Sequence, residues 1–147
     1  MRTANPYDNA HAVALSNAWV KARTKVVPGL CDHYAALLFG WGASGSVTAL
    51  AHYQAIPASY RLPGPVTGCL AFYADPRGRG DGHVAIVDAS HDPDNIVIGT
   101  TDLPDPGLYT HQLVTAPTKA WGLRLLGYTR PLFPNGLDPA HTPLYRV

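Results

Sequence analysis

The chain has 147 residues, of which 46% are hydrophobic and 14% are charged, and its formal net charge is +1. Domains cluster near roughly 100–150 residues, so we predict that residues 1–147 form a single domain with one site. The apolar fraction argues against disorder, the small net charge argues against a nucleic-acid partner, and no apolar run reaches the roughly 18–20 residues of a membrane span.

Three helical patterns occupy the first part of the chain, over about residues 9–55. The predicted helices begin at Asn9, at Leu30 or Cys31, and at Val47. Asp8 or Asn9 would cap the first helix, and Ser46 would cap the third. Cys31 would therefore lie in the first turn of the second helix.

Short β-rich runs follow a proline-rich segment, residues 56–65, which we predict to be a loop. The predicted strands cover residues 69–73, 83–87, 95–101, 108–114 and 123–129. Tight turns join the first strands, so we expect an antiparallel meander within residues 66–130 and an irregular tail over 131–147. Helices first and strands second predict an α+β fold, in which the N-terminal helices pack on an antiparallel sheet.

Cys31 is the candidate nucleophile. The N-terminus of a helix lowers the pKa of a thiol through its partial positive charge and its unpaired amides. The same amides can stabilise the oxyanion that forms when a thiolate attacks a carbonyl. Because a cysteine in an apolar helix is more often a small buried hydrophobic residue, this assignment depends on finding a base.

His83 is the candidate base among seven histidines. It opens a predicted core strand directly after a glycine-rich turn, where a rigid scaffold can aim it into a cleft. Asp102 is the candidate that orients the imidazole, because antiparallel pairing returns the end of its strand towards His83. Thr101 and Asn95 are alternatives for this role, and a cap of the turn that follows is the other interpretation of Asp102.

These features together resemble the NlpC/P60 and CHAP group of papain-like cell-wall peptidases and amidases. The resemblance rests on Cys31 at a helix start, on residues 68–73 (Gly-Cys-Leu-Ala-Phe-Tyr) and on residues 82–87 (Gly-His-Val-Ala-Ile-Val). It covers roughly residues 28–130. Two features depart from the group: the Asp-Cys-Ser-Gly motif is absent, and Cys69 stands where an Asp usually follows the glycine.

The resemblance implies a papain-like fold and a cysteine hydrolase that cuts peptide or amide bonds, with peptidoglycan as the substrate. Cys31 would attack the carbonyl as a thiolate, His83 would protonate the departing amine, and Asp102 would orient the ring. No cofactor and no metal are expected. Since the first residues lack a signal peptide's apolar stretch, we expect synthesis in the cytoplasm, with action at the bacterial wall after phage release or dedicated secretion.

Other uses of the two cysteines remain open. Free thiols are expected in an unexported protein, but export would allow a Cys31–Cys69 disulfide that removes the nucleophile. Cys31, His33, Cys69 and His83 could also supply four zinc ligands, although the chain has no Cys-x-x-Cys pair and no His-x-x-x-His pair.

Two further functions fit the same scaffold. An acyltransferase or deamidase would use the same thioester with a different acceptor or substrate. A non-catalytic module would bind peptidoglycan through exposed members of the chain's three tryptophans and eight tyrosines.

Overall fold

A computed structural model of the protein describes residues 4–139. Its helices are α1 (Asn9–Lys21), α2 (Cys31–Leu38), α3 (Ala49–Ala55) and α4 (Ala116–Trp121), with a 3-10 turn at Ala58–Tyr60. Its strands are β1 (Arg61–Leu62), β2 (Leu70–Ala74), β3 (His83–Ala89), β4 (Val97–Thr101), β5 (Tyr109–Leu113) and β6 (Arg124–Thr129). This mixture of helices and antiparallel strands confirms the α+β prediction.

The six strands form one sheet in the order β1-β6-β2-β3-β4-β5, and every neighbouring pair is antiparallel. Strands β2 to β5 form the predicted meander. Strand β6 leaves this pattern, because it returns to pair with β2 rather than with β5. The connection from β5 to β6 contains α4, a helix that the sequence analysis did not predict.

Local side-chain hydrogen bonds determine where the helices begin. The Asp8 side chain accepts from the His11 amide at 2.8 Å, which confirms Asp8 as the cap of α1. Helix α2 begins at Cys31, which confirms its place in the first turn. The predicted Ser46 cap of α3 is wrong, because Thr48 has an extended backbone and its hydroxyl accepts from the Ala51 amide at 3.0 Å.

The sheet separates two apolar cores, because successive side chains of a strand point to opposite faces. On β3, Val84 and Ile86 belong to the core that packs under α1, α2 and α3, whereas Ala85 and Val87 belong to the other core. We call these the helix-side core and the far-side core. Cys31 packs against the helix-side core, so the start of α2 lies over one face of the sheet.

Two segments predicted to be irregular are better ordered than expected. The short strand β1 lies within the predicted loop and pairs with β6. In the predicted tail, Leu132 and Phe133 are buried in the helix-side core, and residues 140–147 lie outside the described part of the chain. Within residues 4–139, the structure has no helix with the length and apolarity needed to cross a membrane.

Candidate active site

The Cys31 thiol lies at the start of α2, beside a pocket of about 380 Å³. Burial raises the pKa of Cys31 to about 12, and the charges of Asp32 and Asp102 act in the same direction. The backbone amides of Val84 and Asp32 oppose this rise by hydrogen bonding to the thiol. The net shift is opposite to the one expected from a helix N-terminus, so the thiol is protonated at neutral pH.

His83 opens β3 and lies opposite Tyr73 of β2. Its ring centroid lies 6.0 Å from that of Tyr73 and 5.1 Å from that of Trp121, and the residue is 4% exposed. Burial lowers the pKa of His83 to about 4, against a smaller opposing effect from the charge of Asp102. The imidazole is therefore neutral at neutral pH, as a general base must be.

Thr100, on the neighbouring strand β4, holds the His83 ring. Its Oγ1 lies 2.6 Å from His83 Nε2, and its hydroxyl donates to the Thr101 carbonyl at 3.4 Å. Either atom can be the donor in the shorter contact, depending on the tautomer of the ring. If the hydroxyl donates to the Thr101 carbonyl, Nε2 carries the proton and Nδ1 carries the lone pair that a base requires.

The hydrogen bonds of the Asp102 side chain go to two loop amides, and none to His83 is found among the described residues. Its carboxylate accepts from the Gly29 amide at 3.0 Å and from the Gly107 amide at 2.8 Å. These bonds tie the loop before α2 to the connection between β4 and β5. Asp102 therefore fixes the loop that precedes Cys31, and its negative charge raises the pKa of both Cys31 and His83.

The sheet register explains why Thr100 takes this place. Ile86 pairs with Gly99, so continuing the same register would set His83 opposite Asp102. Strand β4 ends at Thr101, however, and Asp102 has a φ of 67°, which turns its side chain away. Thr100 is then the diagonal neighbour of His83, within reach of a long side chain.

The two alternatives to Asp102 lie elsewhere. The Thr101 hydroxyl is buried, and it has no hydrogen-bond partner among the described residues. The Asn95 side chain donates to Asp92 at 2.7 Å in the turn between β3 and β4, at the opposite end of β4 from Thr100. Neither side chain bonds to the imidazole.

The Cys31 thiol lies beside the backbone of β3, whereas the His83 side chain lies with Tyr73 on the face of the far-side core. The Val84 amide, which follows His83 in the chain, is directed at the Cys31 thiol. Within residues 4–139, the side-chain hydrogen bond of His83 goes to Thr100. For the thiol and the imidazole to meet, the His83 side chain would have to turn around the edge of the sheet towards the start of α2.

No family model matches the chain, and neither a curated protein nor a solved structure matches it. The function is therefore inferred from the geometry around Cys31.

A buried acid–imidazole pair includes Asp32, the residue that follows Cys31, and the sequence analysis did not find it. Asp32 Oδ1 lies 2.6 Å from His52 Nδ1, and His52 Nε2 donates to the Leu132 carbonyl at 2.7 Å. His52 is fully buried between the rings of Phe72 and Phe133. This chain of bonds joins α2, α3 and the C-terminal segment. An acidic residue in the first turn of α2 was the only sequence signal for it.

A second buried network lies under α1, where Asp88 is the extra residue of a β-bulge in β3. Asp88 Oδ2 accepts from Ser16 Oγ at 2.7 Å and from His111 Nε2 at 2.8 Å. Ser16 Oγ also lies 2.6 Å from the Tyr109 hydroxyl. A Cβ on Gly99 would come within 2.1 Å of Ser16 Oγ, so only glycine leaves room for this network.

Cys69 lies apart from Cys31, in the far-side core. Burial raises the pKa of Cys69 to about 11, and its sulfur accepts from the Val66 amide at 3.4 Å. Both cysteines are free thiols. In the described part of the chain, no three His, Cys, Asp or Glu side chains come close enough to hold a metal ion.

Proposed function

We propose that this protein is a papain-like cysteine hydrolase that cleaves an amide bond. Cys31 is the nucleophile, His83 is the base through Nδ1, and Thr100 is the positioning residue. The observation that carries the proposal is the Cys31 thiol at the start of α2, hydrogen-bonded by the amide of Val84, the residue that follows His83. In this proposal Thr100 Oγ1, 2.6 Å from His83 Nε2, accepts from Nε2–H and leaves the Nδ1 lone pair free. Thr100 thus replaces Asp102 in the orienting role.

The protonation states point to a neutral resting pair. The pKa of Cys31 is raised to about 12 and that of His83 is lowered to about 4, so a preformed thiolate–imidazolium pair is disfavoured. The thiol proton therefore passes to Nδ1 as the sulfur attacks the carbonyl. The C–N bond then breaks as the imidazolium returns that proton to the leaving amine, and water cleaves the thioester.

Backbone amides at the start of α2 can stabilise the negative charge that develops on the attacked carbonyl oxygen. The unpaired amides of the first turn of α2 lie beside the thiol, and the Asp32 amide already acts on it. An oxyanion formed at the attacked carbonyl would accept from such amides. The pocket of about 380 Å³ beside Cys31 is large enough for a few residues of a peptide.

The proposed substrate is peptidoglycan, on the resemblance of residues 68–73 and 82–87 to the cell-wall hydrolases. The bond would lie within a stem peptide or between glycan and stem. Action at the wall would follow phage release or dedicated secretion. An acyltransferase or deamidase would use the same Cys31 thioester.

The test is digestion of purified peptidoglycan, followed by mass spectrometry of the soluble products. Wild type and Cys69→Ala should release the same new fragments, whereas Cys31→Ala and His83→Ala should release none. Cys69→Ala is the matched control, because it removes the other buried thiol from the far-side core.

Two outcomes would contradict the proposal in different ways. Fragments released by folded Cys31→Ala would remove Cys31 as the nucleophile. If folded, reduced wild type released none, peptidoglycan would be excluded, and the acyltransferase, deamidase and binding-module alternatives would gain weight.

A further inference from the structure

A second pocket, of about 410 Å³, lies between the start of α1 and the segment that follows β6. Tyr7, Tyr60 and Leu132 give its lining apolar surface, and Arg130 is the one lysine or arginine among the described residues that line it. Among the described residues, this pocket shares no lining residue with the one beside Cys31. It is therefore a separate candidate site.

Hydrogen bonds hold the segments around this pocket in place. The Arg130 amide donates to the Tyr60 carbonyl at 2.9 Å. The Asn5 side chain donates to the Pro131 carbonyl at 2.6 Å and accepts from Trp41 Nε1 at 2.9 Å. A pocket that is fixed before binding loses little conformational freedom when a ligand enters it.

The guanidinium of Arg130 is placed to bind an anion. Its central carbon lies 5.6 Å from the centroid of the Tyr60 ring, and the residue is exposed. Contact with an aromatic face orients a guanidinium and leaves its N–H groups available. Within residues 4–139, no carboxylate forms an ion pair with Arg130. The paired N–H donors of arginine match the two oxygens of a carboxylate, or two oxygens of a phosphate group.

Two tyrosine rings form the aromatic part of the lining. Tyr7 is 38% exposed, and its ring stacks on that of His11 with 4.1 Å between the centroids. Tyr60 is half-buried, with the Arg130 guanidinium over its ring. Aromatic rings favour offset-stacked or edge-on contact with a further ring. A ligand that carries a ring therefore matches this lining.

A negative charge in the same pocket selects between the two anions. Asp8 lines the pocket, and its carboxylate caps α1 by accepting from the His11 amide at 2.8 Å. Because its charge repels an anion, a carboxylate with one negative charge fits better than a phosphate group with nearly two.

We propose that this pocket binds a carboxylate carried on an apolar ring, with the carboxylate on Arg130 and the ring against Tyr7 and Tyr60. The ligand class is that of aryl and cyclic carboxylic acids. Binding requires no chemistry at Cys31, so this proposal is independent of the proposed function.

The test titrates the wild-type protein with benzoate and with benzamide, which has nearly the same shape but no charge. In ¹H–¹⁵N spectra, benzoate should saturably shift the backbone amide signals of Tyr7, Asn9, Arg130 and Leu132, which line the pocket. Benzamide should bind at least about tenfold more weakly, because hydrogen bonds between charged groups are the stronger ones. Inorganic phosphate, which brings no ring and more charge, should also bind more weakly than benzoate.

Three variants assign the effect to the charges of the pocket. Arg130→Gln should weaken benzoate binding about tenfold or more. Arg61→Gln is the matched control, because Arg61 is exposed and lies over the Tyr53 ring outside the pocket, and it should leave binding unchanged. Asp8→Asn retains a residue that caps α1 and removes the opposing charge, so benzoate should bind up to about fivefold more tightly.

Several results would overturn the carboxylate site. These are equal binding of benzoate and benzamide, the absence of saturable shifts at the pocket, unchanged binding in folded Arg130→Gln, and weaker binding in Asp8→Asn. Tighter binding of phosphate than of benzoate would replace the ring-bearing carboxylate with a phosphate ligand. Should Arg130→Gln fail to fold, the comparison of benzoate with benzamide in the wild-type protein decides.

Discussion

Replacing Thr100 with valine tests the positioning of His83 most directly. Valine has nearly the shape of threonine but no hydroxyl, so it removes the acceptor that lies 2.6 Å from His83 Nε2. His83 is 4% exposed, and water therefore cannot replace the lost bond easily. A buried N–H left without a partner costs about 1–3 kcal/mol. For a domain of this size, that corresponds to a decrease in Tm of about 3–9 °C.

The same change should disturb the chemistry. With the Thr100 acceptor removed, nothing on β4 keeps the proton on Nε2, and Nδ1 carries the lone pair for only part of the time. An even mixture of the two tautomers leaves about half of the rings competent, so we expect the Cys31-dependent reaction to slow by about twofold from this cause. Thr100→Ser retains the hydroxyl and should recover most of the rate.

Nitrogen NMR of the imidazole measures this effect without a substrate. Long-range ¹H–¹⁵N spectra distinguish a protonated from an unprotonated ring nitrogen, so wild type and Thr100→Ser should show His83 protonated at Nε2. Thr100→Val should show a mixture of tautomers. If Thr100→Val retained both the wild-type Tm and a pure Nε2–H tautomer, the reasoning about Thr100 would be refuted.

Three further predictions concern stability and thiol reactivity. Gly99→Ala places a Cβ 2.1 Å from Ser16 Oγ, so it should lower the free energy of unfolding, measured in urea, by about 3 kcal/mol or more. Gly64→Ala is the control: no atom lies within 4 Å of its new Cβ, so the free energy of unfolding should change by under about 0.5 kcal/mol. Burial raises the pKa of Asp88 to about 6, so its contribution to stability is full below about pH 4 and is lost as pH rises through about 6. Asp88→Asn should therefore reduce the loss of stability between about pH 4 and 7.5, measured by urea unfolding at both pH values. Because the pKa of Cys31 is raised to about 12, its alkylation by iodoacetamide should accelerate about tenfold per pH unit from pH 7 to 10, and a rate that levels off near pH 7 would contradict that pKa.

Local signals were sufficient to predict the elements that carry the candidate site. The N-cap at Asp8 and the start of α2 at Cys31 both follow from short-range patterns, and the structure confirms them. The apolar runs of β2, β3 and β4 also agree with their predicted positions. These features depend on residues only a few positions apart, which is the range over which sequence patterns act.

The partners across the sheet depend on geometry that no local pattern encodes. Strand β4 ends at Thr101, and the positive φ of Asp102 turns the chain at the next residue. Thr100 rather than Asp102 is therefore the hydrogen-bond partner of His83. Likewise, the bond from His52 to Leu132 joins residues 80 positions apart, so only the folded chain brings them together.

The charges around Cys31 oppose the proposed reaction. After burial, the carboxylate charges of Asp32 and Asp102 raise the pKa of Cys31, because each opposes a negative charge on the sulfur. A free thiolate at this position is therefore disfavoured, and the proposed hydrolase must remove the thiol proton in the same step in which the sulfur attacks the carbonyl.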